Sequence, residues 1–287
     1  MIRSMLFIPG NTPNLLIHAG QLGADAVVFD LEDSVSPAEK DSARILVRNT
    51  LQNMDFEHCK TIVRINPLDT DYWKADLQQI VPAKPDHIIL PKTNGSGDLY
   101  KLAQRICKVS DDESYRPKVI ALIETAMGVE CAFEIAATKK VVGGLFLGAE
   151  DLSSDLHCKR TKGGQEILYA RQRLVMAARA NGIEVYDTPF TDINDDEGIY
   201  EDAKLAKSLG FSGKVSISPR HVEAINQVFS PSEDEIAQAK EVMAAIEEAE
   251  AQGRGTIALH GKMIDAPVVH RAEQVLQAAK EIESKGV

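Results

Sequence analysis

Short apolar segments alternate with longer segments of helical spacing from the N-terminus to about residue 229. The short segments are rich in β-branched residues, which is typical of buried strands in a parallel sheet. The longer segments repeat apolar residues every three or four positions, which predicts amphipathic helices. The predicted strands are 4–9, 26–30, 61–65, 87–90, 118–123, 144–147, 184–186 and 214–217. The clearest predicted helices are 37–51, 99–107, 126–137, 165–180 and 197–209.

This alternation of eight strands with helix-sized connections predicts an α/β fold, a (β/α)₈ TIM barrel that spans residues 1–229. An open parallel sheet fits the eightfold repeat less well. No G-x-G-x-x-G motif follows the first strand and no G-x-x-x-x-G-K-[ST] motif occurs, so the dinucleotide-binding and P-loop interpretations lose their main support.

The pattern changes after residue 229. Ser230 or Ser232 is placed to cap a helix with one apolar stripe, a loop covers residues 260–267, and a last helix follows. We therefore expect residues 230–287 to form a C-terminal helical arm outside the barrel. The arm either covers the barrel, closes as a lid, or contributes to the site of a neighbouring subunit.

Composition narrows the classes of function. The 287 residues are 44% hydrophobic and 26% charged, which is typical of a globular protein. A formal net charge of −11 disfavours nucleic acid and anionic membranes as partners. The sequence has no apolar run long enough to span a membrane and no signal-peptide pattern, and its four cysteines have no paired spacing. These features predict a cytoplasmic protein.

Charged residues follow most of the predicted strands. In chain order they are Asp30, Glu32, Asp33, Arg64, Lys92, Glu124, Glu150, Asp151 and Asp187. Because the carboxyl ends of parallel strands meet at one face of a barrel, this distribution predicts an active site at that face. A purely structural ring would be neutral, since unpaired buried charges are costly.

Glu124 and Asp151 end neighbouring predicted strands, so their carboxylates are expected to approach each other. Two oxygen ligands, with the other positions left to water and substrate, are typical of a Mg²⁺ site, which also admits Mn²⁺. A metal-free pair that acts as acid and base is the alternative. Arg64 favours the metal, because a guanidinium beside it suits a carboxylate substrate or a developing oxyanion. Glu32 or Asp30 would hold Arg64 in place, unless the three form only a structural brace.

Lys92 raises a different mechanism, because a lysine at the end of a barrel strand can form a Schiff base with a carbonyl substrate. The two carboxylates and the arginine predicted beside it favour the metal mechanism instead.

Eight segments, in order along nearly the whole chain, resemble the β subunit of citrate lyase and the related malyl-CoA and citramalyl-CoA lyases of the HpcH/HpaI aldolase superfamily. These segments are 3–10, 29–35, 63–66, 90–93, 123–128, 147–152, 211–214 and 261–267. The resemblance implies a Mg²⁺-dependent carbon–carbon lyase that cleaves a 3-hydroxy-carboxyacyl thioester, of citryl, citramalyl or malyl type, into a 2-keto acid and an acyl thioester. The thioester is carried by CoA or by an acyl-carrier protein.

The resemblance also implies roles for individual residues. Glu124 and Asp151 would bind the metal, and Arg64 would contact the substrate carboxylate or carbonyl oxygen. The backbone from Gly148 through Ala149 and Glu150 to Asp151 would hold the other end of the keto acid. Asp265 would reach a neighbouring subunit's site, commonly in a homotrimer, and would take part in proton transfer. Arg3, Lys40 and Arg44 are candidates for contacts to a CoA phosphate.

Several alternatives stay open at the level of sequence. The chain is either the β subunit of a citrate lyase complex, with α and acyl-carrier subunits as partners, or a stand-alone lyase or thioesterase. The segment at residues 186–190 is bulkier and more apolar than a citrate site requires, so a smaller keto acid such as pyruvate or glyoxylate is an alternative product. A Schiff-base aldolase and a non-catalytic assembly subunit are more distant alternatives.

Overall fold

The computed structural model describes residues 1–251, 257–259 and 262–284 and divides the chain into two compact units. One unit is 2–226, and the other is Met1 together with 227–287. Gly261 of the resembling segment 261–267 lies outside the described residues. In the described part of the chain, no helix is both long and apolar enough to cross a membrane.

The first unit contains a closed barrel of eight parallel strands, each paired with the next along the chain, and β8 pairs with β1. The strands are β1 Ser4–Pro9, β2 Ala26–Asp30, β3 Lys60–Arg64, β4 His87–Leu90, β5 Lys118–Ile123, β6 Val142–Leu147, β7 Glu184–Asp187 and β8 Gly213–Ser216. The predicted (β/α)₈ barrel is therefore confirmed, and each predicted strand overlaps an observed one.

Helices connect the strands. They are α1 Pro13–His18, α2 Lys40–Asn53, α3 Trp73–Ile80, α4 Ser96–Val109, α5 Ala126–Glu130, α6 Ala132–Ala136, α7 Ala149–Asp155, α8 Leu168–Asn181, α9 Asp196–Leu209 and α10 Val222–Phe229. The helix predicted over 126–137 is divided at Cys131 into α5 and α6. Short helices such as α1 and α7 escape prediction because they contain too few turns to show an apolar period.

The second unit contains α11 Glu233–Ala251, an antiparallel pair of strands, β9 Ile257–Leu259 and β10 Lys262–Ile264, and α12 Ala266–Glu283. Ala239, Val242, Ile264 and Ala272 form its buried apolar cluster. The prediction of a loop over 260–267 is wrong at β10. This strand was missed because three residues are too few to show an alternating pattern.

All eight strands contribute to one buried apolar cluster, which fills the barrel interior. Its members are Met5, Ala26, Val28, Ile62, Ile89, Ile120, Leu122, Phe146, Tyr186 and Val215. Because side chains alternate between the two faces of a strand, residues adjacent to these point outward, toward the helices.

Four buried charged side chains occupy that outer layer beside β7 and β8. Arg171 of α8 donates to both carboxylate oxygens of Asp187, at 2.9 and 2.8 Å, and to Asp202 of α9 at 2.8 Å. Lys214 lies 2.7 Å from Asp187 and 2.6 Å from Asp202. We call these four residues the buried ion quartet; its two cations balance its two anions. Asp187, which the sequence placed with the active-site charges, belongs to this quartet instead.

We expect Arg171→Met to lower the free energy of unfolding by about 3–5 kcal/mol, since it leaves two buried carboxylates facing one ammonium. Urea denaturation at neutral pH measures this loss. Arg116 is exposed and donates to the carbonyl of Tyr115, so Arg116→Met is a matched control that should cost no more than about 0.5 kcal/mol. Equal losses in the two variants would contradict a stabilising role for the quartet.

Candidate active site

A cavity of about 150 Å³ opens where the strands of the barrel end. Six residues that line it each lie two positions after a member of the interior cluster: Phe7, Arg64, Glu124, Gly148, Thr188 and Ile217. The inward face of each strand therefore continues from the apolar core into the cavity, because side chains repeat on one face every two residues. Asp33, Glu150, Asp151 and Pro189 complete its polar and outer wall.

Arg64 is held mainly by Asp30, which ends the neighbouring strand β2. Its Nε and Nη2 donate to the two carboxylate oxygens of Asp30 at 2.6 and 2.8 Å, and its guanidinium lies 4.9 Å from the ring centre of Phe7. Burial favours the neutral form of Arg64, but the charge of Asp30 and the hydrogen bonds outweigh it and raise the pKa of the guanidinium. Arg64 thus remains a fixed cation at the cavity wall.

Glu32 lies behind Arg64 and is almost fully buried. Its Oε2 is 2.8 Å from Arg64 Nη1, but the two groups are not aligned as a hydrogen bond, and the described residues provide no hydrogen-bond partner for either oxygen. Burial raises the pKa of Glu32 to about 8, against the opposing charge of Arg64. Both Asp30 and Glu32 therefore contact Arg64, and Asp30 makes the aligned contacts.

Glu124 follows β5 and Asp151 lies in α7, immediately after β6, so the adjacent strands bring both carboxyl groups to the cavity. Glu124 Oε1 accepts a hydrogen bond from the backbone N–H of Lys92 at 2.8 Å. Burial raises the pKa of Glu124 to about 7, and the charge of Asp151 adds to the rise. A cation bound nearby would offset the repulsion between the carboxylates of Glu124 and Asp151.

Gly148 allows Glu124 to occupy this position. A Cβ atom on Gly148 would lie 2.7 Å from both Cβ and Oε2 of Glu124, which is closer than side-chain atoms pack. Position 148 therefore needs glycine for close approach, although its φ of −94° is ordinary.

The two carboxylates fit a hard divalent cation. No third acidic, histidine or cysteine side chain joins them within the described ranges. Mg²⁺ prefers octahedral oxygen coordination and usually keeps several positions for water or substrate, so two carboxylates beside an open cavity suit it. Structural zinc sites require four nitrogen or sulfur ligands and do not fit.

Lys92 contacts Glu124 through its backbone N–H, although it is not among the residues that line this cavity. Its φ of 50° lies in the left-handed region, which turns its N–H toward Glu124. Lys92 lines a separate cavity of about 190 Å³ together with Asp69, Asn94 and Asp98, and its charge acts on Glu124, whose pKa it lowers against the larger effect of burial.

The structure does not bring the three basic candidates for phosphate contacts into the cavity. Arg3 precedes β1 at the opposite end of the barrel and donates to both carboxylate oxygens of Asp25. Arg44 is buried against Asp76 at 2.6 Å and also contacts Asp41. Lys40 donates to the carbonyls of Leu31 and Glu32 at 2.7 and 2.6 Å, so it supports the segment that carries Glu32.

The backbone segment expected to bind the keto acid begins with an amide that already has a partner. The N–H of Ala149 donates to Thr188 Oγ1 at 3.2 Å. Glu150 lines the cavity with a mostly exposed side chain, 3.7 Å from Arg160. Sequence reasoning missed Thr188, although its place two residues after an inward-facing tyrosine was a usable signal.

Asp265 belongs to the second unit, where it is exposed. Its Oδ1 accepts a hydrogen bond from the backbone N–H of Val268 at 3.2 Å, so the side chain caps α12.

Comparisons with known proteins identify a family and several similar proteins. A model of the HpcH/HpaI aldolase/citrate lyase family matches residues 3–219. The citrate lyase subunit beta of Leuconostoc mesenteroides subsp. cremoris is 46% identical over 281 residues, which cover 96% of this chain and 93% of the relative. The (3S)-malyl-CoA thioesterase of Cereibacter sphaeroides is 36% identical over 280 residues, which cover 98% and 95% of the two chains.

A solved structure shows similarity over almost the same length. It is the CitE protein of Mycobacterium tuberculosis in complex with magnesium, acetoacetate and coenzyme A, with a TM-score of 0.80 and 34% sequence identity. The match covers 97% of this chain and 98% of that one. Both units therefore take part in the similarity.

Proposed function

The chain belongs to the HpcH/HpaI aldolase/citrate lyase family, and from this premise we propose how it works as a Mg²⁺-dependent carbon–carbon lyase of the citrate lyase β type. It cleaves a 3-hydroxy-carboxyacyl thioester, of which citryl thioester is the first candidate, into a 2-keto acid and an acyl thioester. One observation carries the proposed mechanism: Arg64, Glu124 and Asp151 line a single cavity.

Glu124 and Asp151 would hold the metal, with substrate oxygens in its remaining positions. When bound, Mg²⁺ acidifies the substrate hydroxyl and withdraws electron density from the carbonyl that forms. The proposal rests on the donor set, two carboxylates beside an open cavity, and on the magnesium bound by the similar mycobacterial protein.

Arg64 would stabilise the negative charge that develops as the carbon–carbon bond breaks. The hydroxyl gives its proton to water and becomes the keto oxygen, while the electrons of the broken carbon–carbon bond pass to the acyl thioester as an enolate. Because Asp30 and Glu32 fix the guanidinium before substrate binds, it needs no reorganisation during the reaction. Asp30 and Glu32 are positioning residues in this scheme.

The enolate needs a proton, and we assign this step to Asp265 of a second copy of the chain in a homotrimer. The carboxylate lies on an exposed turn at the start of α12. Aspartate and asparagine cap helices about equally well, so Asp265→Asn removes the titratable oxygen and keeps the cap.

We expect Asp265→Asn to lower kcat about 100-fold, the usual contribution of one acid–base group. Mg²⁺ affinity and Tm should not change, because the substituted residue is neither a metal ligand nor buried. Steady-state kinetics, calorimetry and thermal melts measure the three quantities. An unchanged kcat would remove Asp265 from the mechanism, and a monomeric, fully active protein would remove the homotrimer.

The identity of the thioester has two candidates. The chain is 46% identical in sequence to the citrate lyase β relative and 36% identical to the malyl-CoA thioesterase. This difference favours citryl thioester as substrate and a complex with α and acyl-carrier subunits. The cavity of about 150 Å³, whose lining includes Pro189 and Ile217, favours instead a smaller keto-acid product and a stand-alone enzyme.

A panel of thioesters tests the function. Citryl, citramalyl, malyl and methylmalyl thioesters, on CoA and on an acyl-carrier protein, are incubated with Mg²⁺, and the keto acid and acyl thioester are measured. We expect cleavage of one thioester above the others, and loss of cleavage with EDTA that is restored by Mg²⁺. Release of free CoA without a keto acid would indicate a thioesterase.

The same assay separates the remaining alternatives. Trapping of substrate on Lys92 by borohydride, with no effect of EDTA, would establish the Schiff-base mechanism and overturn the metal mechanism. No turnover of any thioester, alone or with the other citrate lyase subunits, would support a non-catalytic assembly subunit.

A further inference from the structure

Thr188 is a polar residue of the cavity that the mechanism has not yet used. It follows β7, two positions after Tyr186, and is only 1% exposed. Its oxygen accepts the N–H of Ala149 at 3.2 Å. The contacts of the described residues include no acceptor for its hydroxyl proton, and the cavity lies beside it.

The Thr188 hydroxyl is placed to donate a hydrogen bond into the cavity. A hydroxyl oxygen that accepts a hydrogen bond becomes a better donor, because hydrogen bonds in a chain polarise one another. The surrounding wall carries the carboxylates of Asp33, Glu124 and Asp151, which can only accept when ionised. A carboxylate ligand in this cavity therefore needs donors, and Arg64 and Thr188 supply them from different strands.

The buried ion quartet fixes the backbone of Thr188. Lys214 Nζ donates to the carbonyl oxygen of Thr188 at 2.6 Å, and it also contacts the carboxylates of Asp187 and Asp202. The ammonium thus donates two hydrogen bonds, to Asp187 and to Thr188, and forms an ion pair with Asp202 that is not aligned as a hydrogen bond. Lys214 and Asp187 are both fully buried, so this arrangement has little freedom to move.

We propose that the Thr188 hydroxyl donates a hydrogen bond to the carboxylate of the keto-acid part of the substrate, and that Lys214 is the positioning residue that sets its place. The proposal rests on the proposed function, because the keto acid is the product assigned there. It adds a specificity contact opposite Arg64 and gives the quartet a role in binding as well as in stability.

Binding of pyruvate and oxaloacetate in the presence of Mg²⁺, measured by calorimetry, tests the contact without requiring turnover. We expect Thr188→Val to raise both dissociation constants about 10- to 100-fold, the usual loss for a hydrogen bond to a charged group. KM for the thioester should rise similarly, with a smaller change in kcat. Thr188→Ser keeps the hydroxyl, so both dissociation constants should stay within about 3-fold of the wild type, a change of roughly 0.7 kcal/mol.

Three further measurements separate this contact from a purely structural role. Mg²⁺ affinity should be unchanged in Thr188→Val, while Tm should fall by a few degrees because the buried N–H of Ala149 loses its acceptor, which Thr188→Ser retains. The exposed Thr191→Val in the same loop serves as a matched control with wild-type binding and Tm. Lys214→Met paired with Asp202→Asn keeps the quartet neutral. This double variant should weaken keto-acid binding in the wild-type background but add little to Thr188→Val, since both changes remove the same contact.

The outcomes are distinct. Unchanged keto-acid binding in Thr188→Val, or failure of Thr188→Ser to retain binding, would overturn the proposal. If the wild type binds keto acids but cleaves no thioester, the proposed function fails while the dissociation constants still decide the role of Thr188. If the wild type binds neither keto acid, both are overturned.

Discussion

Glu124→Gln should lower the rate of thioester cleavage by more than about 1000-fold and weaken Mg²⁺ binding in parallel, since the Lewis-acid contribution of the metal amounts to several kcal/mol. The amide keeps the size of the side chain and one oxygen, but it loses the charge that attracts a cation. Because burial and Asp151 already raise the pKa of Glu124, the neutral side chain should be tolerated by the fold. Cleavage kinetics and Mg²⁺ titration measure the two losses.

Excess Mg²⁺ provides an internal check on this result. If the loss arises from weak binding, part of the activity returns as Mg²⁺ is raised; a loss in the chemical step persists at saturation. Glu223→Gln, on the exposed side of α10, is the matched control and should retain wild-type kinetics. Wild-type metal affinity in Glu124→Gln would show that Glu124 is not a ligand.

Arg64→Lys should lower kcat/KM about 1000-fold, the upper range for loss of one preorganised electrostatic contact. Lysine keeps a positive charge next to the buried Asp30, so the fold should survive. Its single ammonium cannot satisfy both oxygens of Asp30 and also face the cavity, as the guanidinium does. Steady-state kinetics on the thioester, with a thermal melt of each protein, measure the effect.

Arg220→Lys is the control for this substitution. Arg220 is 57% exposed, pairs with Asp196 and does not line the cavity, so the change should leave kcat/KM within about 2-fold, as for surface substitutions. If Arg64→Lys also stayed within this range, Arg64 would be a structural brace with no role in the reaction.

The barrel could be predicted because its signal is local and repeated. Several strands, including β1, β2, β4 and β5, have their predicted bounds, since each is a short, mostly apolar segment that ends at a turn or a polar residue. The meeting of Arg64, Glu124 and Asp151 follows from topology, because adjacent parallel strands must end at the same face.

Pairing between side chains could not be predicted in this way. Arg3 and Arg44 find buried carboxylates, Asp25 and Asp76, which lie more than twenty residues away in sequence. Asp187 follows its predicted strand as Glu124 does, but in the structure it ends β7, and the alternation of faces turns it toward the helices. A residue type at a strand end therefore indicates chemistry only once the inward face is known.

At Lys92, which has a left-handed backbone conformation, a substitution that increases stability should decrease activity. Glycine tolerates this φ without the steric cost that a side chain incurs, so Lys92→Gly would relieve strain in the folded state by about 1 kcal/mol. The added freedom would loosen the only backbone N–H shown to contact Glu124 among the described hydrogen bonds. Selection for thermal stability alone would then favour a residue that loosens the proposed metal site, which makes position 92 a sensitive test of what has shaped this loop.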